Sequence, residues 1–291
     1  MNASTFEKVL HPALDRDNVA ADDLLDEEGM RICAVCGEKK QRWFEVPGII
    51  PKRRVPRMCK CERDKAAAEE EARKQQEMVR KINRYRRLGL TDEQYKDCTF
   101  AVDDSADRKT SQFCRAYVAN WDWARENNAG ILLWGDVGGG KTFYAACIAN
   151  ALIDHGVPAV MTTIPRLVAS MQKDFGAERG NVLAMVANTP LLVLDDVGTE
   201  RNTEYSNEQV YEIINERYKA KKPLIVTTNL TMTAIKGVED MAKRRIYDRL
   251  VEMCTPCKVA GAGRRQKAAR DKMERMIQQF GLNGGHNDPL L

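Results

Sequence analysis

The stretch GDVGGGKT, residues 135–142, constrains this chain more than any other. It meets the pattern G-x-x-x-x-G-K-[ST], in which backbone amides curl around phosphate oxygens at a helix start, where the dipole is positive. An apolar run, ILLW, precedes it and the helical stretch KTFYAACIANALIDHG follows, so the loop has the strand-to-helix context the pattern needs. Gly135 opens the loop, and Gly138, Gly139 and Gly140 allow the backbone to approach a phosphate closely. Lys141 is expected to reach the β- and γ-phosphates, and the Thr142 hydroxyl to sit on Mg²⁺. A triphosphate therefore binds here. What its hydrolysis serves must be read elsewhere.

Around this loop the chain alternates strand and helix. ILLWG (131–135), PAVMTT (158–163), LLVLDD (191–196) and PLIVTT (223–228) are short apolar runs, separated by helical stretches such as SNEQVYEIINERYKA. Buried strands alternating with helices predict an α/β fold with a parallel sheet covered on both faces. A final short strand is expected at CKVA (257–260). LLVLDD ends in two carboxylates, which are costly to bury without a partner. Asp195 is expected to order the Mg²⁺ shell, and Asp196 to face the attacking water as base or orienter. Asn229, closing VTTN, can bond the same water or the γ-phosphate. Many such ATPases carry Glu where Asp196 stands; the shorter side chain predicts slow or partner-dependent hydrolysis.

At 291 residues there is room for one full α/β domain and a smaller unit. No apolar run approaches the roughly 20 residues a membrane helix needs. The first residues lack a basic stretch followed by an apolar core, so a cytoplasmic protein with no membrane partner is expected. The net charge of +4 excludes a wholesale polycation but not a local basic face. Nine cysteines are many for a reducing compartment. CAVC and MCKC supply Cys33, Cys36, Cys59 and Cys61 at zinc-ribbon spacing, although the second pair is C-x-C. Four thiolates suit tetrahedral Zn²⁺; the alternative is four reduced cysteines in a small core.

Between the pairs lies PGIIPKRRVPR, basic and expected to be exposed, suited to acidic protein or nucleic acid. CTPC (254–257) has no partner pair and is read as structural; Cys98, Cys114 and Cys147 fit apolar faces. NWDWARE (120–126) reads as the apolar face of a helix, with an aromatic beside adenine as the alternative. His11, His155 and His286 are scattered and form no catalytic set. Residues 62–87 are rich in Ala, Glu, Lys, Arg and Gln, acidic first and basic last, and predict a solvated connecting helix. The expected layout is a zinc-binding module over 1–62, a helical linker over 63–94, an ATPase domain over 95–270 and a flexible tail over 271–291.

Taken in order, GDVGGGKT, LLVLDDVGTE, VTTNL, RRIYDRLVEMC and GAGRR resemble the AAA+ ATPases of the bacterial and phage replicative helicase loaders, DnaC/DnaI-like and related to the transposition helper IstB. The resemblance covers roughly residues 95–270. It implies a five-stranded parallel sheet and ATP held between neighbouring subunits. By the same resemblance, Lys141 and Thr142 are Walker A, Asp195 and Asp196 Walker B, and Asn229 sensor 1. Arg249 in YDRL looks like the arginine finger, with Arg245 next. Arg265 in GAGRR looks like sensor 2, with Arg264 as the alternative because Gly263 departs from the common G-x-S-x-R pattern.

The implied function is loading a hexameric DnaB-type replicative helicase onto single-stranded DNA, with ATP, Mg²⁺ and Zn²⁺ as cofactors. Self-association would follow ATP binding or docking on the helicase. An IstB-like transposition helper and an ATP-binding adaptor with little turnover are the alternatives. A sequence-specific initiator would need a helix-turn-helix after the ATPase, and the residues beyond 265 are too few and too polar to supply it.

Overall fold

The computed structural model describes residues 23–104, 107–172, 177–198, 204–260 and 264–280, with the side chains of 177, 204 and 264–268 left undescribed. They fall into two compact units that divide between Val79 and Arg80.

In the first unit, β1 (Leu24–Leu25) pairs antiparallel with β2 (Arg31–Ile32), and β3 (Gln41–Val46) with β4 (Ile50–Pro56). Trp43 stands opposite Arg54 in the second hairpin, and the register shifts between Phe44 and Val46. Helix α1 (Lys60–Gly89) begins here, with Glu62 in its first turn and Arg86 and Arg87 in its last, as the macrodipole favours. Among the described residues of this unit the only buried apolar side chains are Met30, Cys33, Val55 and Cys59. Two of the four are thiols. A further tie is Lys40, whose ammonium lies 2.8 Å from Asp23 and 2.9 Å from Glu62. Hydrogen bonds to those carboxylates raise the Lys40 pKa, and the same contact lowers that of Glu62.

The second unit continues through α2 (Glu93–Lys96), a 3₁₀ turn (Phe100–Val102), α3 (Arg108–Ala119), α4 (Trp121–Glu126), β5 (Gly130–Trp134) and α5 (Lys141–Asp154). Then come β6 (Ala159–Thr163), α6 (Ile164–Met171), α7 (Ala177–Asn188), β7 (Leu191–Asp195), α8 (Glu204–Ala220) and β8 (Leu224–Thr228). The described part closes with α9 (Met232–Lys236), α10 (Met241–Met253), β9 (Cys254–Lys258) and α11 (Arg264–Phe280). The five strands form one sheet in the order β6-β7-β8-β5-β9, and every pairing is parallel.

Side chains alternate across this sheet with the period of two that strands impose. Ile131, Leu133, Leu191, Val193 and Ile225 pack with α5 in one apolar layer. Leu132, Leu192, Leu194, Leu224 and Val226 pack on the other face with residues of α6, α7, α8 and α10. This is the α/β fold with a five-stranded parallel sheet that was expected for the second part of the chain. Its consequence for function is directional: all strands are parallel, so their C-terminal ends share one edge, where ligands bind in open α/β sheets.

Three boundaries differ from the sequence reading. Residues 80–94, assigned to a linker, belong to the second unit: Ile82 and Tyr85 pack on its core and Leu90 is buried within it. Gly89 shows how close this approach is, because a Cβ there would lie 1.9 Å from the Ala159 carbonyl oxygen. The last strand begins at Cys254, not 257, and runs through Pro256. It lies at the sheet edge, where a missing N–H is tolerated. Residues 271–280, assigned to the tail, continue the helix that starts at Arg264; the expectation for 281–291 falls outside the described residues. Of the two tryptophans in NWDWARE, Trp121 is buried and Trp123 exposed, and neither borders the nucleotide cavity.

Arg217 of α8 was not anticipated. Its side chain is fully buried and donates to the carbonyls of Val186, Thr189, Pro190 and Pro223, tying the end of α7 to the starts of β7 and β8. Burial lowers its pKa to about 10, so it stays charged at neutral pH. Arg217→Ala leaves four carbonyls without that donor. Charge-assisted bonds of this kind predict a loss of about 3–5 kcal/mol in urea unfolding, and an unchanged midpoint would contradict the assignment.

Candidate nucleotide site and cysteine cluster

The loop between β5 and α5 is built for an anion. Gly138 and Gly140 adopt φ of 81° and 100°, a left-handed region that glycine enters without a Cβ penalty. Gly140 is the N-cap of α5, so the helix begins with its free amides facing the loop. Lys141 is 7% exposed, and its Nζ donates to the Gly135 and Asp136 carbonyls at 2.9 and 2.7 Å.

The acid strand reaches the same place. Strand β8 lies between β5 and β7, so Thr227 stands beside both the loop and the acids. Asp195 Oδ1 accepts from the Thr142 hydroxyl at 2.9 Å and from the Thr227 hydroxyl at 2.6 Å. Its Oδ2 accepts from the Tyr95 hydroxyl at 3.2 Å. Asp196 has φ of 58°, unusual outside glycine, and its amide donates to Thr227 Oγ1 at 2.8 Å. A backbone held this way costs on the order of 1–3 kcal/mol and turns the carboxylate off the strand direction. Asn229 Nδ2 donates to Asp196 Oδ1 at 2.8 Å. A cavity of about 690 Å³ opens here, bordered by the loop, both aspartates, Asn229 and Tyr95.

Lys141, Thr142, Asp195, Asp196 and Asn229, widely separated in sequence, thus meet at one edge of the sheet. Tyr95 and Thr227 were not read as site residues. Tyr95 arrives from α2, and Asn150 of α5 holds that segment by donating to the Tyr95 and Cys98 carbonyls at 2.7 and 2.9 Å. Burial raises the Tyr95 pKa, with the nearby Asp195 charge adding to it, so the phenol keeps its proton and donates.

The expected arginines lie elsewhere. Arg249 of α10 rests against its own chain, its guanidinium carbon 4.8 Å from the Tyr211 ring centroid and 5.5 Å from that of Tyr218. It also donates to the Tyr211 hydroxyl at 3.0 Å. Arg245, one turn earlier, is exposed. Neither borders the nucleotide cavity of its own chain. The side chains of Arg264 and Arg265, the sensor 2 candidates, lie outside the described residues.

In the first unit, Cys33, Cys36, Cys59 and Cys61 bring their sulfur atoms within 4.8 Å of one another. Amides point at two of them: those of Cys61 and Glu38 lower the Cys36 pKa to about 6, and those of Cys36 and Val35 lower that of Cys33. Burial raises the Cys59 pKa and the bond from the Cys59 thiol raises that of Cys61, so the fit to a tetrahedral ion such as Zn²⁺ rests on the four sulfurs converging on one point. Cys254 lies buried with its thiol on the Leu224 carbonyl, and Cys257 is half-buried with its pKa raised by burial, as packing residues would be.

A profile of the IstB-like ATP binding protein family matches residues 62–272, well over half of the chain. The chain belongs to this family. Among curated proteins, the replicative helicase loader DnaC of Escherichia coli (strain K12) is 27% identical over 165 residues, covering 54% of this chain and 64% of that one. DnaC of Buchnera aphidicola subsp. Acyrthosiphon pisum is 26% identical and 65% covered. The replicative helicase loader DnaI of Bacillus subtilis (strain 168) is 26% identical over 147 residues, 47% of each chain. The chain thus spans less than two thirds of the length of these three relatives. A crystal structure of DnaI superposes with a TM-score of 0.49 at 22% identity, covering 60% of this chain and 96% of that one. The family is described as ATP-binding, and the assembled edge is the candidate nucleotide site. No helix among the described residues is long and apolar enough to cross a membrane.

Proposed function

We propose that this protein is an ATP-hydrolysing loader that binds a hexameric replicative helicase and places it on single-stranded DNA. The observation that carries the reading is the meeting of Lys141, Thr142, Asp195, Asp196 and Asn229 in one cavity. Its direction comes from relatives that bear the name replicative helicase loader. Lys141 neutralises charge on the β- and γ-phosphates. Thr142 and Asp195 would hold Mg²⁺, which would supply positive charge against the charge that develops on the phosphates. Asp196 orients the attacking water, and its bond with Asn229 fixes the carboxylate. Zn²⁺ on the four cysteines stabilises the N-terminal module, which grips the partner.

Neither Arg249 nor Arg245 borders its own chain's nucleotide cavity, which accords with a cation delivered to the next subunit. Such a finger raises turnover by roughly 10³ to 10⁵. An Asp196→Asn subunit keeps its arginines and an Arg245→Ala/Arg249→Ala subunit keeps its acid. Mixing the two inactive variants on the helicase is expected to restore turnover, and a mixture as inactive as its parts would count against delivery in trans.

Tyr95 positions the metal-ordering carboxylate. Tyr95→Phe removes one hydrogen bond to Asp195, worth about 0.5–1.5 kcal/mol. The expected result is a two- to tenfold rise in the Mg²⁺ concentration for half-maximal ATP turnover, with metal-free nucleotide binding unchanged. An equal loss in both would make Tyr95 a packing residue only.

The reading as a whole is tested by ATP turnover and co-purification with the replicative helicase and single-stranded DNA. Binding to the helicase with stimulated turnover supports it. The family match favours one second reading, an IstB-like transposition helper. Capture of a transposase with no binding to helicase would select that alternative.

A further inference from the structure

The first unit carries a surface that the ATPase reading leaves unused. In the β3–β4 hairpin, Trp43 lies directly across from Arg54, and Lys52 follows two residues along the same face. The indole is 48% exposed. Lys52 Nζ lies 5.3 Å and the Arg54 guanidinium carbon 5.2 Å from its ring centroid. Arg54 is held in place by donating to the Gly29 carbonyl at 2.7 Å, which leaves its charge unneutralised. Arg42, Lys52, Arg53, Arg54 and Arg57 make no ion pair among the described residues, and Glu45 is the one acid from residue 41 to 57. Arg42 and Arg57 border the same surface hollow as Trp43, and its two acids, Glu28 and Glu38, are paired with Lys39 and Arg63. The neighbouring lysines differ: Lys39 pairs with Asp26 and Glu28, and Lys40 with Asp23 and Glu62.

We propose that the β3–β4 hairpin binds single-stranded nucleic acid, with a base stacked on Trp43 and its phosphates met by Lys52, Arg54 and Arg57. Exposing a large ring among cations gains nothing for packing. It is what a stacking platform needs, because every base presents a π-face and carries phosphate beside it. An acidic protein surface would use the charges and leave the ring without a role. The polar groups set against the ring are the Lys52 and Arg54 cations, which suit phosphate, so the binding is expected to be sequence-tolerant. It lies in the cysteine-bearing unit and works without ATP, so its test is independent of the nucleotide site.

The test measures binding of the zinc-loaded full chain to a fluorescent 20-nucleotide oligo-dT, without nucleotide, over a salt series. Trp43→Ala is expected to weaken binding about tenfold and Trp43→Phe to restore most of it. Lys52→Gln with Arg57→Gln is expected to lower the slope of log affinity against log salt by about 0.7 per cation. Zinc content and melting temperature report whether each variant keeps its fold. Photocrosslinking of wild-type protein to iododeoxyuridine-substituted oligo-dT keeps the proposal testable if Trp43→Ala unfolds the module, and it should label the tryptic peptide holding Trp43. Wild-type affinity in all these variants, or crosslinks confined to residues 80–291, overturns the proposal. Intact DNA binding with lost helicase binding also overturns it, and reassigns the hairpin to an acidic protein partner.

Discussion

Lys141→Ala is expected to lower ATP affinity by roughly 10² to 10⁴ and to abolish detectable turnover. The ammonium is placed by its bonds to Gly135 and Asp136, at the mouth of a helix whose first amides face the same cavity. Two charge-assisted bonds to phosphate, at about 1.5–3 kcal/mol each, account for that range, since about 1.4 kcal/mol is a factor of ten. Calorimetric titration with a non-hydrolysable ATP analogue checks it. The variant should melt near the wild-type temperature without nucleotide and lose the rise that nucleotide gives. Unchanged nucleotide affinity would mean that the loop binds something else.

Removal of Zn²⁺, or Cys59→Ser, is expected to unfold the N-terminal module while the second unit still binds nucleotide. The reason is the content of that module. Among its described residues Met30 and Val55 are the only buried apolar side chains apart from Cys33 and Cys59, and burying two such residues contributes only a few kcal/mol. Structural zinc contributes on the order of 10–16 kcal/mol of apparent binding energy. Metal analysis should give one zinc per chain. Hydrogen exchange should show residues 31–61 losing protection on chelation, with β5, β7 and β8 unaffected. Protection retained without metal would favour a reduced cysteine core.

What could be read in advance follows from how local each signal is. The phosphate loop is legible because its chemistry needs consecutive residues, and the strands are legible because each is an apolar run ending in a polar group. Asp195, Asp196 and Asn229 stand at such ends, so sequence order alone predicted their meeting. Tyr95 and Thr227 act on Asp195 from elements whose proximity only the parallel sheet creates. Arg217 carries no local signal of its own, because its four carbonyl partners come from three other segments. Residues 80–94 read as linker because their apolar positions are sparse, yet Ile82, Tyr85 and Leu90 among them dock. Arg249 was placed by resemblance. The tyrosines that hold it, Tyr211 and Tyr218, lie seven residues apart on α8, a spacing that puts both on one helix face.

The most direct test of a loader is a closed circle of single-stranded DNA, which has no end for a hexameric ring to thread. A circle coated with single-strand-binding protein and annealed to a labelled oligonucleotide is mixed with the replicative helicase, ATP and this protein. Displacement of the oligonucleotide is expected only when the wild-type chain is present, and not with Lys141→Ala. Equal displacement with and without the chain, or full rescue by Lys141→Ala, would contradict an ATP-dependent loading role.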